Sequence, residues 1–177
     1  MVAPAQGETF DSDRILMALA THQVEFVVVG GIAARAHGAS RATADFDCIP
    51  ANDIENLDRL AKALTVLNAR LRVAGMSDYE ARGLPIRLDS LTLAAFGSST
   101  WMTDFGPLDL LIELRGPQGA RRSYNDLLER SIEIRVGDVA VRIASLRDIV
   151  ESKEFASRPK DFEALPELRD LLARQDP

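Results

Sequence analysis

The stretch VVVGGIAARAHGASRATADFDC, residues 27–48, limits what this chain can fold into more than any other. It opens in a β-branched apolar run, Glu25–Val29, that reads as a central strand covered on both faces. Gly30 and Gly31 break the run, and IAARAHG then suits a short helix ending at Gly38. Ala44–Ile49 alternates as a strand does, and Pro50 ends it. Strand, tight turn, short helix and strand in this order predict an α/β (α+β) class, with a mixed sheet flanked by helices.

The rest of the chain extends that plan. Ser12 is the expected cap of a first helix carrying Ile15, Leu16 and Leu19 on one face, and Asn52 the expected cap of a longer one. The buried stripe of the second is Ile54, Leu57, Leu60, Ala61, Leu64 and Leu67. Residues 69–98 contain Gly75, Gly83 and Pro85 and read as loop with short helical or strand pieces. Ser99–Thr103 and Pro107–Leu114 form a hairpin, and RGPQGARR (115–122) an exposed basic loop. A helix over Ser123–Arg130 precedes two strands, Ile132–Val136 and Val139–Ile143, joined by Gly137-Asp138. Helices are expected over Leu146–Ala156 and from Pro159 to about Arg174, the last bent at Pro166.

At 177 residues and 46% hydrophobic content, there is material for one domain with a proper core. We expect residues 1–177 to form that domain, with a catalytic core over 1–114 and a C-terminal hairpin and helical segment over 115–177. A lone Cys48 excludes an internal disulfide and a zinc-finger cluster. No signal-like start and no apolar run of membrane length is visible, so a soluble, cytoplasmic protein without a membrane partner is expected. The net charge of −6 argues against an indiscriminate nucleic-acid binder. Of the 21 basic residues, 18 are Arg and only Lys62, Lys153 and Lys160 are Lys.

Three features point to chemistry. A glycine pair between strand and helix lets backbone approach a ligand, and the helix start offers N–H groups to phosphate. Asp45 and Asp47, two apart on a strand, project to one face while Phe46 and Cys48 face the core. Carboxylates so placed, about 7 Å apart along the strand, repel unless a cation lies between them, and hard oxygen-ligated ions such as Mg²⁺ suit the gap. Asp109 is a charge within an otherwise apolar strand whose other face is Leu108, Leu110, Ile112 and Leu114. A metal shared with Asp45 and Asp47 would partner it; the plainer reading is a rim position after Pro107.

Further along, Leu146, Ile149, Val150 and Lys153 fall on one helical stripe, so Lys153 points inward. Asp161 aligns with Leu165, Leu168 and Leu172 and also faces in. A structural Lys153–Asp161 ion pair is the alternative to a role in a site. His22 and His37 lack metal-ligand spacing, and neither a Gly-x-Ser-x-Gly elbow nor a P-loop is present.

Together these residues resemble the DNA polymerase β-like nucleotidyltransferase superfamily. Its signature is an apolar strand, Gly-Gly or Gly-Ser, a helix, then Arg-x-Thr-x-Asp-h-Asp, which Arg41, Thr43, Asp45 and Asp47 match, with Asp109 as third carboxylate. SLRDIVESKEFASRPKDFEAL is similar to the Lys…Arg-x-Lys/Arg-Asp segment of AbiEii-type, MenT-like toxin nucleotidyltransferases, at Lys153, Arg158, Lys160 and Asp161. The resemblance implies transfer of an NMP from an NTP to an acceptor hydroxyl, with two Mg²⁺ ions, or Mn²⁺ in their place. Asp45, Asp47 and Asp109 would be metal ligands and, with Lys153 and Asp161, the catalytic set. Gly30, Gly31, Arg41, Thr43, Lys153 and Arg158 would bind the nucleotide, and Lys153 would neutralise phosphate charge. The implied acceptor is an RNA, specifically tRNA, 3′ end, and the implied partner a protein antitoxin. Two other readings stay open: transfer to an aminoglycoside-like small molecule or a protein hydroxyl, and a degenerate, non-enzymatic binding module. The acidic net charge suits a cationic small molecule better than RNA.

Overall fold

In the computed structural model, residues 10–175 are described; the N-terminal stretch read for a signal peptide lies almost entirely outside them. The order of elements follows the expected pattern. Helix α1 (Ser12–Thr21) leads into β1 (Phe26–Val28), α2 (Gly30–Ala36) and β2 (Phe46–Pro50). Then come α3 (Ile54–Val66), β3 (Arg70–Leu71), α4 (Asp78–Arg82), α5 (Ser90–Phe96), β4 (Ser99–Thr103) and β5 (Gly106–Leu110). A small ribbon, β6 (Leu114–Arg115) and β7 (Arg121–Arg122), precedes α6 (Tyr124–Arg130), β8 (Ile132–Val136), β9 (Val139–Ile143), α7 (Leu146–Ala156) and α8 (Pro159–Gln175).

Seven strands make one mixed sheet in the order β3-β4-β5-β2-β1-β9-β8. β1 pairs antiparallel with β2 and parallel with β9, and β2 pairs parallel with β5. The apolar β1 thus lies centrally, with Val27, Val28 and the following Val29 essentially inaccessible. The boundary drawn at residue 114 falls in β6, and the sheet runs across it because β9 docks beside β1. Two helix groups pack around the sheet: α1, α3 and α5 contact one another in series, and α2, α7 and α8 do the same.

Several local expectations are corrected. The cap of α1 is Asp11, whose carboxylate accepts from Arg14 N at 3.1 Å, not Ser12. That of α3 is Asp53, accepting from Asn56 N at 2.9 Å, not Asn52. In both cases an Asp stands next to an equally good capping residue and takes the N3 amide, which moves the helix start by one residue. Ile54, in the first turn of α3, is 52% exposed instead of buried. The second strand of the hairpin stops at Leu110 instead of Leu114: the Ile112 amide donates to Ser98 Oγ, and Ile112 is exposed. Pro166 lies inside α8, the last helical stretch, as expected.

The 115–122 segment is not a solvated basic loop throughout. Arg122 reaches across to α7, pairing with Asp148 (Nη1 to Oδ1, 2.7 Å) and with Glu151. Asp148 is nearly fully buried and also takes Arg130 Nε at 3.1 Å and Ser145 Oγ at 2.8 Å. This cluster fastens the ribbon and α6 to α7. Asp148→Ala strips the shared anion from two arginines and should lower unfolding free energy by about 3 kcal/mol, read as an early urea midpoint with unchanged slope. A midpoint equal to wild type would show that the cluster contributes nothing.

Candidate active site

The carboxylates meet because of strand register. β2 and β5 run parallel with Asp47 opposite Asp109, and residues opposite on neighbouring strands are about 4.8 Å apart and face the same way. Asp45 precedes β2 on the same face. One oxygen from each of Asp45, Asp47 and Asp109 lies within 4.8 Å of the others. Each is partly buried at the floor of a cleft of about 370 Å³.

The glycine pair is shaped by this floor. Gly30 has φ +63°, and a Cβ there would run into the Asp47 carboxylate, 2.6 Å from its Cγ. A Cβ on Gly31 would stand 2.5 Å from Thr43 Oγ1 and 2.7 Å from Thr43 Cβ. Helix α2 can therefore start against Asp47 and Thr43 only because two residues without side chains lie there. Thr43 in turn donates from Oγ1 to Asp45 Oδ1 at 2.6 Å, orienting the first carboxylate.

The electrostatics are those of three crowded carboxylates. Burial first, then the charges of Asp45 and Asp109, push the Asp47 carboxyl up to about 7; Lys160 and the Gly31 amide pull it the other way. Asp109 Oδ1 is buried with no hydrogen-bond partner among the described residues. Three hard oxygen donors, one of them without a hydrogen-bond partner among the described residues and one whose pKa burial and its neighbours raise, fit a divalent cation such as Mg²⁺.

The cleft's other walls are cationic. Arg41, Lys153, Arg158 and Lys160 all line it, as do Gly30, Gly31 and Thr43. Lys160 joins the site beyond the residues the sequence assigns to it, and its only signal there is its place beside Arg158 and Asp161. Asp161 does not line the cleft. Its side chain is fully buried, taking Lys153 Nζ at 3.1 Å and Arg158 Nε at 2.8 Å. Burial raises its pKa, but the hydrogen bonds and charges of Arg158 and Lys153 outweigh this and hold it below the usual carboxylate range. Asp161, expected in the catalytic set, thus meets two cations of the cleft rather than the cleft itself. Lys153 both lines the cleft and makes the ion pair with Asp161 that was the alternative to a site role. Arg41 is half-exposed and paired with Glu163 on α8 at 2.7 Å. His22 and His37 cap α1 and α2, and His37 Nε2 bonds Ala144 O at 2.8 Å, as helix-end residues.

No protein-family model matches the chain, and no curated protein matches it in sequence. Solved structures do match in shape. The antibiotic-resistance factor ANT(2'')-Ia, in solution, superposes with TM-score 0.57 at 16% identity, over 90% of this chain and 81% of that one. In its crystal complex with adenylyl-2''-tobramycin the values are 0.56 and 16%, over 93% and 88%. The lincosamide antibiotic adenylyltransferase LnuA, bound to lincomycin, gives 0.54 and 13%, over 92% and 99%. At these identities the likeness is one of fold: the chain has the mixed α/β fold of solved nucleotidyltransferases. Among the described residues no helix is long and apolar enough to cross a membrane.

Proposed function

We propose that this chain, working as one domain over residues 1–177, is a metal-dependent nucleotidyltransferase that moves an NMP from an NTP to the hydroxyl of a small molecule. The observation that carries the reading is the juxtaposition in one cleft of the Asp45, Asp47 and Asp109 oxygens with Lys153, Arg158, Lys160 and Arg41. An anionic floor and cationic walls suit a polyphosphate delivered with its metal. Asp45 and Asp47 would hold Mg²⁺ or Mn²⁺ on the nucleotide side, and Asp109 on the acceptor side. Bound there, the ions supply Lewis-acid stabilisation of charge on the phosphoryl oxygens.

The residues of the chain do the rest. Lys153 and Arg158, held by Asp161, meet the β- and γ-phosphates. Lys160 and Arg41 add charge at the mouth. Asp109 Oδ1, without a hydrogen-bond partner among the described residues, orients the acceptor hydroxyl and takes its proton as the oxygen bonds to the α-phosphorus. The bond from that phosphorus to the bridging oxygen breaks, and pyrophosphate leaves with its charge met by Lys153. Gly30 and Gly31 keep the backbone beside the phosphates free of side chains.

Two observations favour a small, cationic acceptor. The structures it resembles include an aminoglycoside product complex and a lincosamide complex, and this chain spans most of their length. Its net charge of −6 would repel a polyanion. A second reading, an RNA 3′ end as acceptor in an AbiEii-type toxin restrained by an antitoxin, is favoured by the Lys153…Arg158-x-Lys160-Asp161 segment. The test is incubation with each α-³²P NTP and Mg²⁺ in the presence of an aminoglycoside and lincosamide panel, total RNA, or neither. Label in the small-molecule fraction is expected. Label in RNA would move the assignment to the second reading, and no label from any NTP would end both.

A further inference from the structure

The loop between α2 and β2 carries Arg41, Thr43 and Asp45, and its position is set from a distant helix. Glu163 and Glu167 stand one turn apart on α8, facing that loop. Glu167 Oε1 accepts from the Ser40 backbone N at 2.8 Å, and Glu163 Oε2 accepts from Arg41 Nη1 at 2.7 Å. Neither glutamate was visible as a partner in the sequence, since the contacts span 127 and 122 positions.

The two attachments differ in kind. The first holds backbone. The second holds a side chain that also lines the cleft, in a pair whose members are 48% and 67% exposed. Such a pair is weak and screened by salt, so a better anion displaces it readily. A nucleoside triphosphate in the cleft is that anion, since a guanidinium binds phosphate oxygens through two parallel bonds.

We infer that Glu163 is an affinity-setting residue: it occupies Arg41 in the empty cleft and yields it to the nucleotide's phosphates, while Glu167 keeps the loop in place through Ser40. The inference rests on the nucleotide reading of the cleft. It makes Glu163 an internal competitor of the substrate, acting through Arg41 and touching neither metal nor acceptor. Its removal strengthens nucleotide binding, which no merely structural contact would do.

The test is equilibrium binding of ATP, GTP, CTP and UTP to the full chain by calorimetry, in Mg²⁺ at low and at 0.5 M salt. Glu163→Gln should bind the preferred nucleotide about two- to five-fold more tightly at low salt, and the gain should shrink at high salt. The charge-swapped pair Arg41→Glu with Glu163→Arg restores the ion pair but puts an anion on the loop. It should keep the wild-type melting temperature and bind nucleotide at least about tenfold more weakly. Unchanged affinity in Glu163→Gln, or wild-type affinity in the swapped pair, would overturn the exchange and leave the tie structural. Failure of the wild-type chain to bind any of the four nucleotides would overturn the cleft's nucleotide reading itself.

Discussion

Asp47→Asn should make the metal-free protein more stable at pH 8 while abolishing nucleotidyl transfer. In the fold the Asp47 carboxyl sits at about 7 against an ordinary 3.8, so between those values the native state binds more protons than the unfolded chain. Stability therefore falls as pH rises through that window, by about 4 kcal/mol once Asp47 is fully ionised. Asparagine cannot ionise and is spared this loss. With EDTA present, the two proteins should melt together near pH 4, and the variant should melt later at pH 8. Adding Mg²⁺ should raise the melting temperature of the wild type only, since a ligand of the native state stabilises by mass action. An Asn variant that melts earlier than wild type at pH 8 in EDTA would instead make Asp47 a structural acceptor.

Lys153→Met should lower the transfer rate by about 10²–10³ while costing little stability. The lost ammonium is one electrostatic donor to the leaving phosphates. The methionine keeps the apolar stem along the stripe of Leu146, Ile149 and Val150, all buried. Asp161 is not orphaned by the change, because Arg158 Nε remains 2.8 Å from it. Asp161→Ala should behave in the opposite order. It leaves the largely buried Lys153 without its anion, while the half-exposed Arg158 turns to solvent, costing about 3 kcal/mol. Melting curves and single-turnover rates on the same preparations separate the two. If Lys153→Met unfolds as early as Asp161→Ala and its folded fraction transfers at the wild-type rate, Lys153 is a structural cation only.

Much of the floor of the site was legible in the sequence because it depends on local periodicity. The i, i+2 spacing of Asp45 and Asp47 dictates a shared face in any strand, and Phe46 and Cys48 dictate which face is the core. The inward direction of Lys153 follows from its place three residues after Val150 on a helix. Asp109 showed as a charge out of place among leucines. The misreadings were also local. A choice between adjacent capping residues, Asp11 or Ser12, Asp53 or Asn52, is a one-residue shift of the helix start between side chains of equal capping strength. The end of β5 turned on Ser98, a hydroxyl on another segment, and the burial of Arg122 on the anion of Asp148.

By itself, then, the order of apolar and polar residues determined the α/β plan, the shared side of Asp45 and Asp47 at the start of β2 and the inward-facing stripe of α7, since each rests on a repeat of 2 or 3.6 residues. Only the tertiary structure decided what those groups meet. Pairing β2 parallel to β5 in register brought Asp109 opposite Asp47 across 62 positions of chain. Docking α8 beside the α2–β2 loop gave Arg41 to Glu163 and the Ser40 amide to Glu167. No periodicity encodes such meetings, because the energy that selects them comes from burying the whole core at once rather than from any segment's own preference.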